Sequence, residues 1–268
     1  MKLTPGLRFV GGPDATFEVT GEAWSGRDHV YFHAKKVFRN FRYPALSLDE
    51  APADEALDVL IRRPRIAPDP ASFEKKALST LPRFPYFLDW IDLIDSPEGD
   101  ATGPWLVFAD PHGRPTDLSG GIDADMSVGL AFDALAMLDA LHRVRLTAGA
   151  MDPADFLPRG PGGWYFLGTD RIRPAESSGS TRDDLMHWAR LTESLMRGGA
   201  GGGWPSPGVV QEGLRESTEW LFERVNFCLN ESSGDRPTSV VELERGMTGS
   251  KGPVAALRRL LGRARGRS

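Results

Sequence analysis

Apolar positions keep two different rhythms along this chain. The front holds short apolar runs separated by turn residues. His29–Phe38 is rich in Val, Tyr and Phe, Leu57–Ile61 is a compact apolar run, and Trp105–Phe108 reads as a buried strand. Pro104 precedes that last run, and Asp110, Pro111, His112 and Gly113 supply turn chemistry after it. Between these strands, Phe73–Leu81 reads as a helix stopped by Pro82. Beyond the turn the rhythm becomes helical. Leu130, Leu135, Leu138 and Leu141 lie on one face of a predicted helix over Met126–Leu146. Further helices are predicted over Asp184–Met196, Leu214–Leu229 and Ser239–Met247, with a Gly/Pro-rich loop at Gly198–Gly208. No internal repeat is present. A β-rich front followed by an α-rich back predicts an α+β protein of two unlike lobes.

Composition narrows the class of partner. The 268 residues are 40% hydrophobic and 26% charged, which supports a sizeable core and argues against disorder. A net charge of −5 argues against a general nucleic-acid binder. Cys228 is the single cysteine, which excludes an internal disulfide or a multi-cysteine metal site and fits a reducing cytosol. No apolar stretch reaches the roughly 18–20 residues needed to span a bilayer. Met1–Val10 lacks a signal-peptide layout, so a cytoplasmic location is expected. Residues 251–268 differ from the rest. Lys251, Arg258, Arg259, Arg263, Arg265 and Arg267 meet no acid there, and Val254, Leu257, Leu260 and Leu261 share a face. The segment is either a solvated terminus or a docking element for an acidic membrane surface or acidic partner. The five histidines form no H-E-x-x-H pair, and no histidine near Cys228 in the pattern would make it a nucleophile.

The stretch Cys228–Leu243, CLNESSGDRPTSVVEL, is the most specific. It resembles the end of the helical lobe of bacterial eukaryotic-type (Hanks-type) Ser/Thr protein kinases, with Asp235, Arg236 and Pro237 matching that family's Asp-Arg-Pro. Asp184, Trp188 and Ala189 resemble the start of the central buried helix, whose aspartate fixes the catalytic-loop backbone. Phe73–Leu81, followed by Pro85, is similar to the mobile helix, with Glu74 where the lysine-pairing glutamate belongs. Trp105–Asp110 resembles the strand entering the hinge, which puts Phe108 at the back of the nucleotide pocket. The resemblance covers roughly Phe17–Met247. It implies a two-lobed kinase-like fold, with a small β-rich lobe over residues 1–110, a helical lobe over 111–250 and a basic tail over 251–268. It also implies structural roles for Glu74, Asp184, Asp235 and Arg236.

The chemistry of that family needs a few specific groups, because transfer rests on positioning phosphates and neutralising charge. Gly21, Ala23 and Gly26 have the spacing of the glycine-rich loop, but the middle glycine is alanine and Asp28 places an acid near the phosphates. The alternative for these glycines is a plain turn. Val59–Arg62 is similar to V-A-I-K, which puts Arg62 at the lysine position; Lys35 and Lys36 are alternatives. Arginine keeps the charge but is forked and bulkier. Ala148–Leu157 resembles the catalytic loop, H-G-D-L-K-P-x-N-I-L. Its histidine has become Ala148, its catalytic aspartate Ala150, its lysine Asp152 and its metal asparagine Asp155. A methyl group at Ala150 leaves no base. Trp164–Leu167 resembles the strand before D-F-G, and Gly168 then stands at the Mg²⁺ aspartate. Only 16 positions separate Gly168 from Asp184, too few for the usual substrate-binding loop. Ala175-Glu176 is read as a remnant of that loop's end, with Glu176 a partner for Arg236.

The resemblance therefore implies a degenerate, catalytically inactive kinase domain, a pseudokinase that binds a protein partner as a scaffold or regulator. Gly21, Gly26, Arg62 and Phe108 mark its nucleotide positions. No cofactor is expected, with ATP or ADP bound without Mg²⁺ as the alternative. The rival is a transferase of altered mechanism, in which Asp155 or Asp170 holds a cation, and it requires Asp152, Asp155 and Asp170 to converge.

Overall fold

The computed structural model describes residues 4–12, 15–26, 28–38, 56–66, 84–94, 102, 104–113, 123–159, 163–197, 215–230 and 236–245. It is a mixed α+β protein in which the chain divides into two compact units, Met1–Arg114 and Pro115–Ser268.

The first unit is an antiparallel sheet of β1 (Arg8–Gly12), β2 (Ala15–Ser25), β3 (His29–Phe38), β4 (Ala56–Pro64), β5 (Trp90–Ile94) and β6 (Trp105–Ala109), in the order β1-β2-β3-β4-β6-β5. Alternation drives β2: Ala15, Phe17 and Val19 are buried while Thr16 and Glu18 between them are not. β4 instead buries Val59, Leu60, Ile61 and Arg62 in succession, the pattern of a central strand covered on both faces. One face collects Phe17, Phe32, Val59, Ile61, Trp105 and Val107 into a core. Phe9 of β1 stacks on Phe17 at 5.6 Å and meets Trp105 edge-on at 5.5 Å. These contacts draw the sheet into a curl, and β1 also touches β5. The extra residue Thr20 bulges out where the β2–β3 register shifts between Val19 and Gly21. The expected strands at Leu57–Ile61 and Trp105–Phe108 lie inside longer ones, whereas the helix expected over Phe73–Leu81 lies outside the described residues.

The second unit is helical. α1 (Ala124–Arg143) starts under Asp123, whose carboxylate accepts from the Asp125 backbone N–H at 2.7 Å. It ends earlier than the apolar pattern predicts, because Arg145 takes a left-handed backbone (φ 58) and Leu146–Thr147 forms a short strand, β7, against β10 (Arg173–Pro174). β8 (Phe156–Pro158) and β9 (Trp164–Phe166) make a small hairpin. α2 (Ser178–Met196) begins six residues before the expected start, capped by Ser177. α3 (Arg215–Asn230) and α4 (Val240–Arg245) follow. Leu130, Leu135, Leu138 and Leu141 are all buried, as their spacing requires. Each contributes about 1.5–3 kcal/mol relative to exposure. α1 packs on α2, tied by Trp188 Nε1 donating to the Ala131 carbonyl at 2.8 Å, and α2 packs on α3.

Candidate functional site

The loop after α1 is held from beneath by one buried carboxylate. Asp184 lies nearly two turns into α2, 1% exposed, and accepts from the Ala148 N–H through Oδ2 and from the Gly149 N–H through Oδ1, both at 2.8 Å. His142 Nε2 lies 3.0 Å from the same Oδ2. Burying a carboxylate is costly unless such donors surround it, so the three groups and the acid stand or fall together. Gly149 meets them with a left-handed backbone, φ 72, which side chains other than glycine rarely adopt. The loop then turns outward, and Ala150 presents its methyl group at an exposed position.

The two acids further along serve the loop itself. Asp152 caps the short 3-10 turn Pro153–Asp155 by accepting from the Ala154 N–H, while its own N–H donates to Asp155 Oδ2 at 2.7 Å. This is a reciprocal capping box. The other oxygen of Asp155, Oδ1, lies 2.6 Å from Arg171 Nη2. Burial raises the Asp155 carboxyl above the ordinary carboxylate range, and the Arg171 guanidinium opposes that rise. Arg171 comes from the 3-10 turn Thr169–Arg171 and lies over the Phe166 ring, 5.6 Å from its centroid. It also fills the space beside Gly168. A Cβ there would collide with the guanidinium and fall 2.6 Å from Phe166 Cζ, so Gly168 and Arg171 are sterically matched.

A Mg²⁺ ion of the kind the family's active members use does not fit this arrangement. Gly168 offers no ligand, and both oxygens of Asp155 are taken by partners in the chain. Asp155, the expected weak candidate for a cation, therefore acts as a counter-charge and cap. Among the described residues no group of three His, Cys, Asp or Glu side chains could hold a metal ion, so the convergence of Asp152, Asp155 and Asp170 needed for an altered transferase is not found there. His187, on α2, is pushed below the ordinary imidazole range by burial, partly offset by Asp184.

The first unit gathers a different set. β4 and β6 pair Leu60 with Phe108 and Arg62 with Leu106. Arg62 is buried and its guanidinium sits 5.7 Å from the Phe108 ring centroid. Lys36, weighed as an alternative to Arg62, is also buried and donates to Asp92 at 2.7 Å. Gly21 lies within β2, beside the bulge, while Gly26 closes the β2–β3 turn by donating to the His29 carbonyl at 2.8 Å. Neither glycine has a positive φ. Glu74 and Asp235 lie outside the described residues. The guanidinium of Arg236 lies 2.7 Å from Met186 Sδ and donates to the Leu229 carbonyl, joining α2 to the end of α3. Glu176, its expected partner, is exposed.

One feature escaped the sequence. A pocket of about 420 Å³ in the first unit is lined by Thr20, Gly21, His33, Asp58, Asp110 and His112, among others. Asp110 is its buried centre, with His33 Nδ1 at 2.6 Å from one oxygen and the His112 N–H donating to the other at 2.7 Å. His112 itself takes a left-handed backbone, φ 52. Its only sequence signal is the Asp-Pro-His-Gly turn; His33 lies 77 residues away in sequence and is brought in by sheet register. No family model and no curated protein matches the chain.

Proposed function

We propose that this chain is a pseudokinase of the bacterial Ser/Thr type that works by binding a protein partner rather than by transferring phosphate. The observation that carries the reading is the Asp184-anchored loop. Its backbone is held by the acid that the resemblance puts in that role, yet the loop presents Ala148 and Ala150 where the chemistry needs a histidine and an aspartate. A built and braced loop without its base is what a domain retained for shape rather than chemistry would keep. The closeness of Arg62 and Phe108, two positions that the resemblance places at the nucleotide cleft, lends further support. The Arg171–Asp155 pair weighs against a relocated metal.

In this reading the helical unit supplies the recognition surface, and residues 251–268 add a basic contact to an acidic partner or membrane surface. The deciding experiment is thermal unfolding of the whole chain with ATP, ADP or buffer, each with and without Mg²⁺, beside a phosphotransfer assay with labelled ATP. No transfer and no Mg²⁺-dependent shift is expected. A ligand of the native state at a hundredfold excess over its Kd would stabilise it by about 2.7 kcal/mol, so binding would be seen. Label transfer, or a shift that needs Mg²⁺, would overturn the proposal.

A further inference from the structure

We propose that Arg171 is a tethered resident cation, which takes the place of a metal ion at the loop so that the chain carries its counter-charge covalently. The inference rests on the pseudokinase reading, since that reading makes Asp155 and Gly168 metal positions.

Three features of the structure carry it. The guanidinium is seated rather than solvated: one arm pairs with Asp155 Oδ1, its face covers Phe166, and its Nε is buried without a hydrogen-bond partner. A side chain that leaves one donor unmatched is held by charge and packing, not by a complete set of hydrogen bonds. The space beside residue 168 is filled from two sides, because a Cβ there would fall on the guanidinium and 2.6 Å from Phe166 Cζ. Finally, Asp155 has its second oxygen on the Asp152 N–H, so removing Arg171 would leave a largely buried carboxylate without the one cation that acts on it among the described residues. In the pseudokinase reading the metal-acid position is then bare, and the counter-charge to Asp155 comes from the chain itself.

The test uses the full chain and Mn²⁺ as the probe, with binding read by calorimetry and stability by thermal unfolding. Wild type is expected to show no saturable Mn²⁺ binding and an unfolding midpoint indifferent to Mn²⁺ or chelator. Gly168→Asp alone is expected to lower the midpoint without creating a site. The double variant Gly168→Asp/Arg171→Ala, in which the Phe166 ring must also give way, is expected to bind Mn²⁺ about tenfold or more tighter than either single variant. Should the double variant fail to fold, Arg171→Ala alone decides: its midpoint falls, and Mn²⁺ restores part of the loss by returning a cation to Asp155. Saturable Mn²⁺ binding by wild type, or an Arg171→Ala midpoint that neither falls nor responds to Mn²⁺, would overturn the proposal. Phosphotransfer by wild type would instead sink the pseudokinase reading and leave the Mn²⁺ results to be judged separately.

Discussion

At Asp184 three polar groups from one stretch, residues 142–149, converge on a buried side chain far along the sequence. Replacing it by alanine strands two backbone N–H groups away from water, and each unmatched donor costs about 1–3 kcal/mol. Asp184→Ala is therefore expected to lose about 3 kcal/mol in urea unfolding and Asp184→Asn about half of that, since the amide oxygen can still accept from one N–H. A loss no greater than that of an exposed substitution would mean that the loop does not depend on this acid. The aspartate was legible through the Asp-x-x-x-Trp-Ala pattern, but its depth in the helix was not. Polar residues Ser178–Asp183 carry no apolar periodicity, so the helix start moved to the Ser177 cap.

Elements depend on backbone geometry that composition does not reveal. Two glycines make the point with opposite signs. Gly149 holds φ 72 at the loop, and Gly149→Ala forces a left-handed alanine at a cost of about 1–2 kcal/mol. Gly129 sits inside α1, where an added Cβ meets nothing within 4 Å. Gly129→Ala is expected to stabilise by about 0.5–1 kcal/mol, because the helix loses its most entropically costly residue. The urea midpoints of the two variants should move in opposite directions, and a shift of the same sign would contradict the geometry at one of them. The same distinction explains why α1 stops before Leu146: the apolar pattern runs on, but Arg145 turns left-handed and sends the chain into β7.

Global stability also registers one buried thiol. Burial in α3 pushes Cys228 up from about 9 to about 12, with Arg236 and Arg224 opposing. Between those pH values the folded chain keeps the proton while the unfolded chain releases it. The contribution of this group is thus fully present below about pH 9 and is lost as pH rises toward 12. Its slope is at most about 1.4 kcal/mol per pH unit. Urea unfolding of wild type and Cys228→Ala across this range should show a shallower alkaline decline in the variant. Identical slopes would show that the thiol ionises alike in both states.

The chain by itself determined what local physics dictates: the β-rich front, the leucine face of α1, and an alanine at 150 and a glycine at 168 that carry no titratable group. These follow from side-chain period and from residue identity, which need no third dimension. Only the tertiary structure decided what surrounds those positions. Arg171 carries no signal in the sequence, and packing puts it against Asp155, Phe166 and the bare face of Gly168. Asp152 and Asp155 looked like available acids until the capping box turned them toward the backbone. The His33–Asp110 pair likewise arose only when β3 and β6 came to lie on either side of β4. A charge's role depends on what lies within a few ångströms of it, and those neighbours come from segments whose separation in sequence carries no signal of their approach.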